Sequence, residues 1–106
     1  MTIEFLDEAR QELLEAALWY ESKEAGLGKR FRNEIAYVID RIGENPWLRQ
    51  ERDGGYRRIN CPIFPYYIPY IIRGEKIILL AIAHSHRKPG YWESRVFSGS
   101  DLKELA

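Results

Sequence analysis

Cysteine is almost absent from this chain of 106 residues, which contains Cys61 and no other. A lone cysteine excludes an intramolecular disulfide, and a zinc site would have to combine it with His84, His86 and a carboxylate at no recognised ligand spacing. A glycine-rich phosphate loop and a nucleophile motif are missing as well. We therefore expect no metal, no cofactor and a reducing, cytoplasmic location.

Long apolar runs are missing too. The longest unbroken run, residues 77–83, is far shorter than the roughly 20 residues that a membrane helix needs. The chain starts with acidic residues, unlike the basic and then apolar start of an export signal. The sequence therefore predicts neither membrane association nor export, and its composition, 45% apolar and 30% charged, is that of one folded domain.

The chain has no net charge, with 16 basic and 16 acidic side chains, but its two halves differ in sign. Residues 1–53 contain 8 basic and 12 acidic side chains, a balance of −4, whereas residues 54–106 contain 8 and 4, a balance of +4. The C-terminal half is thus the half suited to a polyanion. An equally favoured interpretation is that the acidic helices and basic strands only make a single domain soluble.

The N-terminal half predicts a strand followed by two helices. Residues 2–5 alternate polar and apolar, as a half-buried strand does. From Leu6 to Tyr20 apolar residues recur every three or four positions, while charged residues, Glu12 among them, fall off that line. Residues 26–28 then predict a turn. The second helical face stops at residue 43 and consists of Phe31, Ile35, Val38, Ile39 and Ile42.

In the C-terminal half the side-chain pattern changes to a period of two, as expected for strands. Residues 56–61 and 64–72 are predicted strands, and the prolines of the second imply an edge, a bulge or an irregular start. A hairpin turn at residues 73–76 leads into residues 77–83, the predicted central strand because it is apolar on both faces.

The predicted fold class is α+β, with a short N-terminal strand and a helical hairpin packed on a small, mainly antiparallel sheet. Residues 1–96 form the predicted domain, and residues 97–106 a tail or short frayed helix.

Five segments resemble the RelE/ParE family of small toxins: residues 15–21 (EAALWYE), 26–31 (GLGKRF), 55–58 (GYRR), 64–66 (FPY) and 83–92 (AHSHRKPGYW). The last is the most specific, because its order of alanine-histidine, arginine, proline and tyrosine-tryptophan is similar to the ending of the plasmid stabilisation branch. The order of strand, helical hairpin and three-strand meander is similar as well. The likeness spans residues 2–95.

The resemblance implies the toxin of a type II toxin–antitoxin system, which arrests growth when it is free of the antitoxin encoded next to it. The disordered tail of such an antitoxin folds over the toxin's helices and sheet. Two targets occur in the family. Members similar to RelE cleave messenger RNA on the ribosome without a metal or cofactor, and members similar to ParE poison DNA gyrase with no known chemistry of their own.

Four residues are candidates for a phosphate site. Metal-free RNA cleavage needs one group to take the proton of the 2′-hydroxyl, another to protonate the leaving oxygen, and cations beside the phosphate. We predict that Arg58 and Arg87 hold phosphate, that His84 is the base or acid, and that Tyr91 assists or stacks on a base. Strand alternation favours Arg58 over Arg57 as the arginine that points away from the helices.

These residues also have structural interpretations. A histidine that ends a buried strand fits a hydrogen-bonded structural group, and packing against the sheet is the favoured role of Trp92. Adjacent helical positions diverge by about 100°, so only one of Trp19 and Tyr20 can face the sheet. Their expected roles are core or antitoxin-binding surface.

Nucleases similar to RelE carry a cluster of lysines on and before the meander, and this chain lacks it. Between residues 54 and 95 the lysines are Lys76, in a turn, and Lys88, in a loop. Arg87 and Tyr91 are the positions that match the nuclease pattern. Messenger RNA and DNA gyrase therefore both stay open as targets, and a non-toxic relic or RNA-binding module of the same fold is the alternative.

Overall fold

A computed structural model gives the fold of residues 1–97. The elements in chain order are β1 (Thr2–Phe5), α1 (Asp7–Lys23), α2 (Leu27–Glu44), β2 (Arg57–Asn60), β3 (Tyr66–Arg73), β4 (Lys76–Leu79), β5 (Ala83–His84) and a 3-10 helix (Glu93–Phe97). The predicted helical hairpin, N-terminal strand and meander are confirmed, and so is the α+β class. The predicted helix at residues 102–105 lies outside the described residues.

The sheet is mainly antiparallel, as predicted. Its strands follow the order β1, β4, β3, β2, and β5 pairs with the start of β3. The edge strand β1 lies parallel to β4, with Thr2 opposite Lys76 and Phe5 opposite Leu79. Within the part of the chain that the structure describes, no helix is both long and apolar enough to span a bilayer.

Both faces of the sheet are covered. The helices cover one face, where the buried residues are Ala17, Phe31, Ile35, Val38, Ile42, Ile68, Tyr70, Ile77, Leu79 and Ile82. The C-terminal segment covers the other, where Trp92 is 1% exposed and its indole N–H donates to the Tyr67 hydroxyl at 2.9 Å. The packing role favoured for Trp92 is confirmed. On α1, Tyr20 packs against the helix-side core, whereas Trp19 is exposed.

The prediction of one continuous strand over residues 77–83 is wrong, because the strand contains a bulge. Tyr70 pairs with Leu79, so regular antiparallel pairing would place Ile82 opposite Tyr67. Ala83 lies opposite Tyr67 instead. One extra residue is therefore accommodated between β4 and β5. Accordingly, Leu80 and Ala81, although adjacent, both pack on the face away from the helices.

Proline explains the position of the bulge. Pro69 lies in β3 next to Tyr70 and has no N–H to donate across to the neighbouring strand. It keeps one contact with that strand, since its carbonyl accepts the N–H of Leu80 at 2.9 Å. The bulge that Pro69 implied in the sequence thus lies on the partner strand rather than in β3.

The turn between the helices depends on a close approach of their backbones. Gly26 has a φ of +86°, in the left-handed region that favours glycine. The carboxylate of Glu21 accepts the backbone N–H groups of Gly26 at 2.8 Å and Gly28 at 3.0 Å, which caps the start of α2. A Cβ at Gly28 would lie 2.5 Å from the carbonyl oxygen of Ala17.

Substitution of Gly28 tests this close approach. We expect Gly28→Ala to lower the free energy of unfolding by about 1–3 kcal/mol, because the added methyl group forces the two helices apart. Gly43→Ala is the matched control in the same helix, since its methyl group would meet only the mobile end of Ile3 at 3.3 Å. Better helix propensity should make that control neutral or stabilising by up to about 1 kcal/mol. If urea denaturation gave equal losses in the free energy of unfolding for Gly28→Ala and Gly43→Ala, the close approach of the helices at Gly28 would be contradicted.

Candidate functional site around Glu12

The bulge exposes backbone groups that need partners, and two charged side chains supply them. The N–H of Ile82 donates to Oε1 of Glu12 at 3.1 Å, and Nη1 of Arg95 donates to the carbonyl of Leu80 at 3.1 Å. Since an unpaired buried backbone group is costly, these two contacts stabilise the bulge.

Glu12 and Arg95 also form a two-pronged ion pair. The guanidinium donates through Nη1 to Oε1 at 3.0 Å and through Nη2 to Oε2 at 3.2 Å. Their side chains are only 14% and 17% exposed, so solvent screens this pair less than it would a surface pair. The pair connects α1 with the C-terminal 3-10 helix across the bulge.

Tyr91 joins the same carboxylate. Its hydroxyl donates to Oε2 of Glu12 at 2.6 Å. Burial, followed by this hydrogen bond, raises the pKa of the Tyr91 phenol well above its ordinary value of 10.0. Tyr91 therefore keeps its proton at neutral pH and points it at Glu12.

Arg87 lies over the exposed side of this cluster. Its guanidinium carbon is 3.7 Å from the centre of the Tyr91 ring, and its Nη1 is 3.5 Å from Oε2 of Glu12. The Arg87 side chain is 55% exposed, so half of it remains available to a ligand. The two positions that match the nuclease pattern are thus in contact with each other and share one carboxylate.

His84 lies beside this cluster at the end of β5. Its ring meets Tyr66 edge-on with centroids 5.0 Å apart, and its Nδ1 accepts the backbone N–H of His86 at 3.0 Å. Burial, followed by the charge of His86, lowers the pKa of His84 from 6.5. His84 and Arg87 open onto one shallow cleft of about 210 Å³, which Glu12 and Tyr66 also line.

Arg58 does not lie with the other three candidates. It pairs across the sheet with Pro69, on the face away from the helices, and its guanidinium lies 3.8 Å over the ring of Tyr67. His84 pairs with Tyr66, whose side chain lies on the helix face. The predicted orientation of Arg58 away from the helices is confirmed, but the sheet separates it from His84.

Sequence reasoning missed Glu12, which it placed on the polar face of the first helix. A signal was present, because Glu12 lies three residues after Ala9 and four before Ala16, within the stripe that faces the sheet. Two arginines, Arg87 and Arg95, also lie close together in the C-terminal sequence, where a carboxylate would offset their charge. Which carboxylate lies near them depends on tertiary structure.

The described residues contain neither a cluster of metal ligands nor a reactive thiol. Within residues 1–97 no group of three or more histidine, cysteine, aspartate or glutamate side chains could hold a metal. Burial, followed by the charge of Glu34, raises the pKa of Cys61 to about 12, so its thiol stays protonated at neutral pH.

A helical hairpin on a five-stranded sheet, closed by a C-terminal segment, defines the class of small α+β toxin domains that the sequence resembles. Residues 3–89 match the family model described as the ParE toxin of the type II toxin–antitoxin system, parDE. The chain belongs to this ParE toxin family.

Comparison with solved structures agrees with that assignment at the level of the fold. The chain is similar to a chain from the chromosomal ParDE TA system of P. aeruginosa, with a TM-score of 0.60 and 14% sequence identity. The match covers 79% of this chain and 95% of that chain. No curated protein matches by sequence.

Removal of the Glu12 carboxylate tests its structural role. We expect Glu12→Ala to lower the free energy of unfolding by about 2–4 kcal/mol, because it leaves the charge of Arg95 without its carboxylate and the N–H of Ile82 without its acceptor. Glu15→Ala is the control one turn later, since the Glu15 side chain is exposed and, among residues 1–97, accepts a hydrogen bond only from Gln11; its effect should stay within about 0.5 kcal/mol. If urea denaturation gave equal losses in the free energy of unfolding for both variants, the Glu12 carboxylate would stabilise the fold no more than an exposed one does.

The environment of His84 predicts its titration. We expect the midpoint of the His84 ring, followed by NMR against pH, to lie below 6.5. His86→Ala should raise that midpoint only partway, because burial is the larger cause. A depressed pKa means that the unfolded chain takes up this proton first, so His84 contributes stability above pH 6.5 that is lost as the pH falls. A midpoint at or above 6.5 in the unaltered chain would contradict the site geometry.

Proposed function

We propose that this chain is a growth-arresting toxin, that an antitoxin encoded next to it holds it inactive, and that the free toxin binds DNA gyrase rather than cleaving RNA. The family assignment supports the toxin role and its partnership with an antitoxin. The choice of target rests on the arrangement around Glu12.

The observation that carries this choice is the carboxylate at the centre of the candidate nuclease residues. Glu12 accepts hydrogen bonds from both Tyr91 and Arg95 and pairs with Arg87. A carboxylate there neutralises these cations and repels a phosphate that approaches them. Tyr91 is a hydrogen-bonded acid with a raised pKa, so it cannot take a proton from a 2′-hydroxyl at neutral pH.

The position of Arg58 supports the same choice. RNA cleavage would need cations, base and acid around one phosphate. Arg58 lies on the opposite face of the sheet from His84. Its guanidinium stacks on the ring of Tyr67 and donates a hydrogen bond to the side-chain oxygen of Asn60. An arginine held in this way, on the opposite face from His84, suits contact with a large partner better than chemistry on a phosphate.

One observation favours cleavage of messenger RNA as the second candidate. His84 has a lowered pKa and shares an open cleft with the half-exposed Arg87, so the two could meet a phosphate there. In that case His84 would be the base and Arg87 the cation, and loss of either side chain would abolish toxicity.

Expression of the chain alone in bacterial cells tests the proposal. We expect growth to stop while amino-acid incorporation continues over the first minutes, and we expect the purified protein to inhibit supercoiling of plasmid DNA by gyrase. His84→Ala should leave both effects within about twofold, because the proposed binding mechanism includes no proton transfer for this ring to perform. Co-expression of the product of the adjoining reading frame should restore growth.

Three results would contradict the proposal in different ways. A prompt fall in incorporation, with cut messenger RNA and loss of toxicity in His84→Ala, would establish the nuclease alternative. Normal growth with the unaltered chain would favour a non-toxic relic. Growth arrest with unaffected gyrase and intact messenger RNA would point to another target.

A further inference from the structure

Part of the positive charge of the C-terminal half remains unpaired at the start of β2. Arg87 and Arg95 pair with Glu12, so their charge is offset within the fold. Arg57 and Arg58, by contrast, have no carboxylate partner among residues 1–97. These two arginines therefore keep their charge available to a ligand.

The loop that precedes β2 adds two more arginines. Arg49 and Arg52 are exposed, and neither pairs with a carboxylate within the described part of the chain. Together with Arg58 they line an open cleft of about 650 Å³. Nε of Arg57 donates to the carbonyl of Arg49 at 2.8 Å, which holds the loop against β2. Four arginines thus lie around one loop.

Acidic side chains moderate the charge of this cleft. Glu51, Asp53 and Glu93 line it beside the arginines, but none of the three forms an ion pair with them in the structure of residues 1–97. Residues 45–60 contain four arginines and two acidic side chains, a balance of +2. A surface of this charge suits moderate, salt-dependent binding of a polyanion.

An exposed tryptophan lies beside the arginines. Trp47 is 58% exposed, and the guanidinium carbon of Arg57 lies 5.1 Å from the centre of its ring. The loop is fixed directly before Trp47, because the buried hydroxyl of Tyr70 donates to the carbonyl of Pro46 at 2.8 Å. A large aromatic ring that is held in place and largely open to solvent is a platform on which another ring can stack.

We infer that an arginine loop surface binds single-stranded nucleic acid. This surface consists of Trp47, Arg49, Arg52, Arg57 and Arg58. A base would stack on the indole, and the neighbouring phosphates would pair with the arginines. Stacking and phosphate contacts are common to DNA and RNA, so the ligand class is a single strand of either. This activity goes beyond the proposed function and does not rest on the identity of the toxin's target.

Trp47 is the reason for choosing a single strand. The bases of a duplex are stacked on their neighbours and have no free face for the indole, whereas an unpaired base has one. The surface is also separate from the cleft beside His84. Arg57 pairs with Tyr70 in the middle of β3. His84 pairs with Tyr66, at the start of that strand.

Labelled oligonucleotides test the ligand class. The full chain is made by cell-free synthesis, and its binding to a thymidine strand, a uridine strand and a mixed-sequence duplex, each about 12 nucleotides long, is measured by fluorescence anisotropy. We expect both single strands to bind at least fivefold more tightly than the duplex. The logarithm of their affinity should fall by about 2–3 for a tenfold rise in salt, which is about 0.7 for each of three or four phosphates.

Tryptophan variants test the stacking platform. Trp47→Ala should weaken binding of the single strands at least fivefold, because it removes the stacking surface. Trp19→Ala is the matched control, since Trp19 is 56% exposed and also has a cation, Lys23, over its ring; it should change the affinity less than twofold. Trp47→Phe should keep the affinity within about threefold, which separates loss of the ring from loss of the fold.

Charge variants test the phosphate contacts. The double variant Arg49→Gln and Arg52→Gln should weaken binding and reduce the salt dependence by about 1.4, the contribution of two phosphates. The double variant Lys29→Gln and Arg32→Gln is the matched control, because it removes two exposed cations from α2 and should leave the salt dependence unchanged. His84→Ala should leave the affinity within about twofold.

Several results would overturn the inference. Absence of binding at low salt, equal binding of the duplex, or equal losses from Trp47→Ala and Trp19→Ala would show that this surface is not a single-strand site. Equal effects of the two double variants would reduce the binding to a general effect of charge. Tighter binding of a polyglutamate peptide, lost in Trp47→Ala, would assign the surface to an acidic protein. Strand binding that is lost in His84→Ala but not in Trp47→Ala would assign it to the other cleft.

Discussion

The ion pair between Glu12 and Arg95 holds together the part of the sheet where regular strand pairing is interrupted. The bulge between β4 and β5 leaves the N–H of Ile82 and the carbonyl of Leu80 outside the ladder, and this pair satisfies both. In doing so it joins the first helix, the sheet and the C-terminal segment. The arrangement of Arg87 and Tyr91 follows from the same contact, because both lie against the carboxylate of Glu12.

The bulge also decides which residues share a face of the sheet. Side chains alternate along a strand, so one extra residue moves every later side chain to the opposite face. Without it, His84 would lie on the face of Arg58, away from the helices. With it, His84 lies beside Glu12 and α1. A single inserted residue therefore places Arg58 and His84 on opposite faces of the sheet.

Much of the fold could be predicted from local sequence patterns. The alternation of residues 2–5 and the apolar spacing of both helices correspond to β1, α1 and α2, and the turn at residues 73–76 joins β3 to β4. The break after Leu79 could not be predicted in the same way, since residues 77–83 are uniformly apolar and carry no local signal of it. Its cause, Pro69, lies on the neighbouring strand.

The sequence by itself determined the α+β class, because periodicity and turn residues are local properties that the chain carries in any environment, and its short motifs indicated the toxin family by resemblance. It also limited the candidates for function to a few arginine, histidine and tyrosine side chains. Only the tertiary structure decided which of these meet. Contact between Glu12 and Arg95, or separation of Arg58 from His84, depends on strand register and helix docking, which bring together residues far apart in the chain.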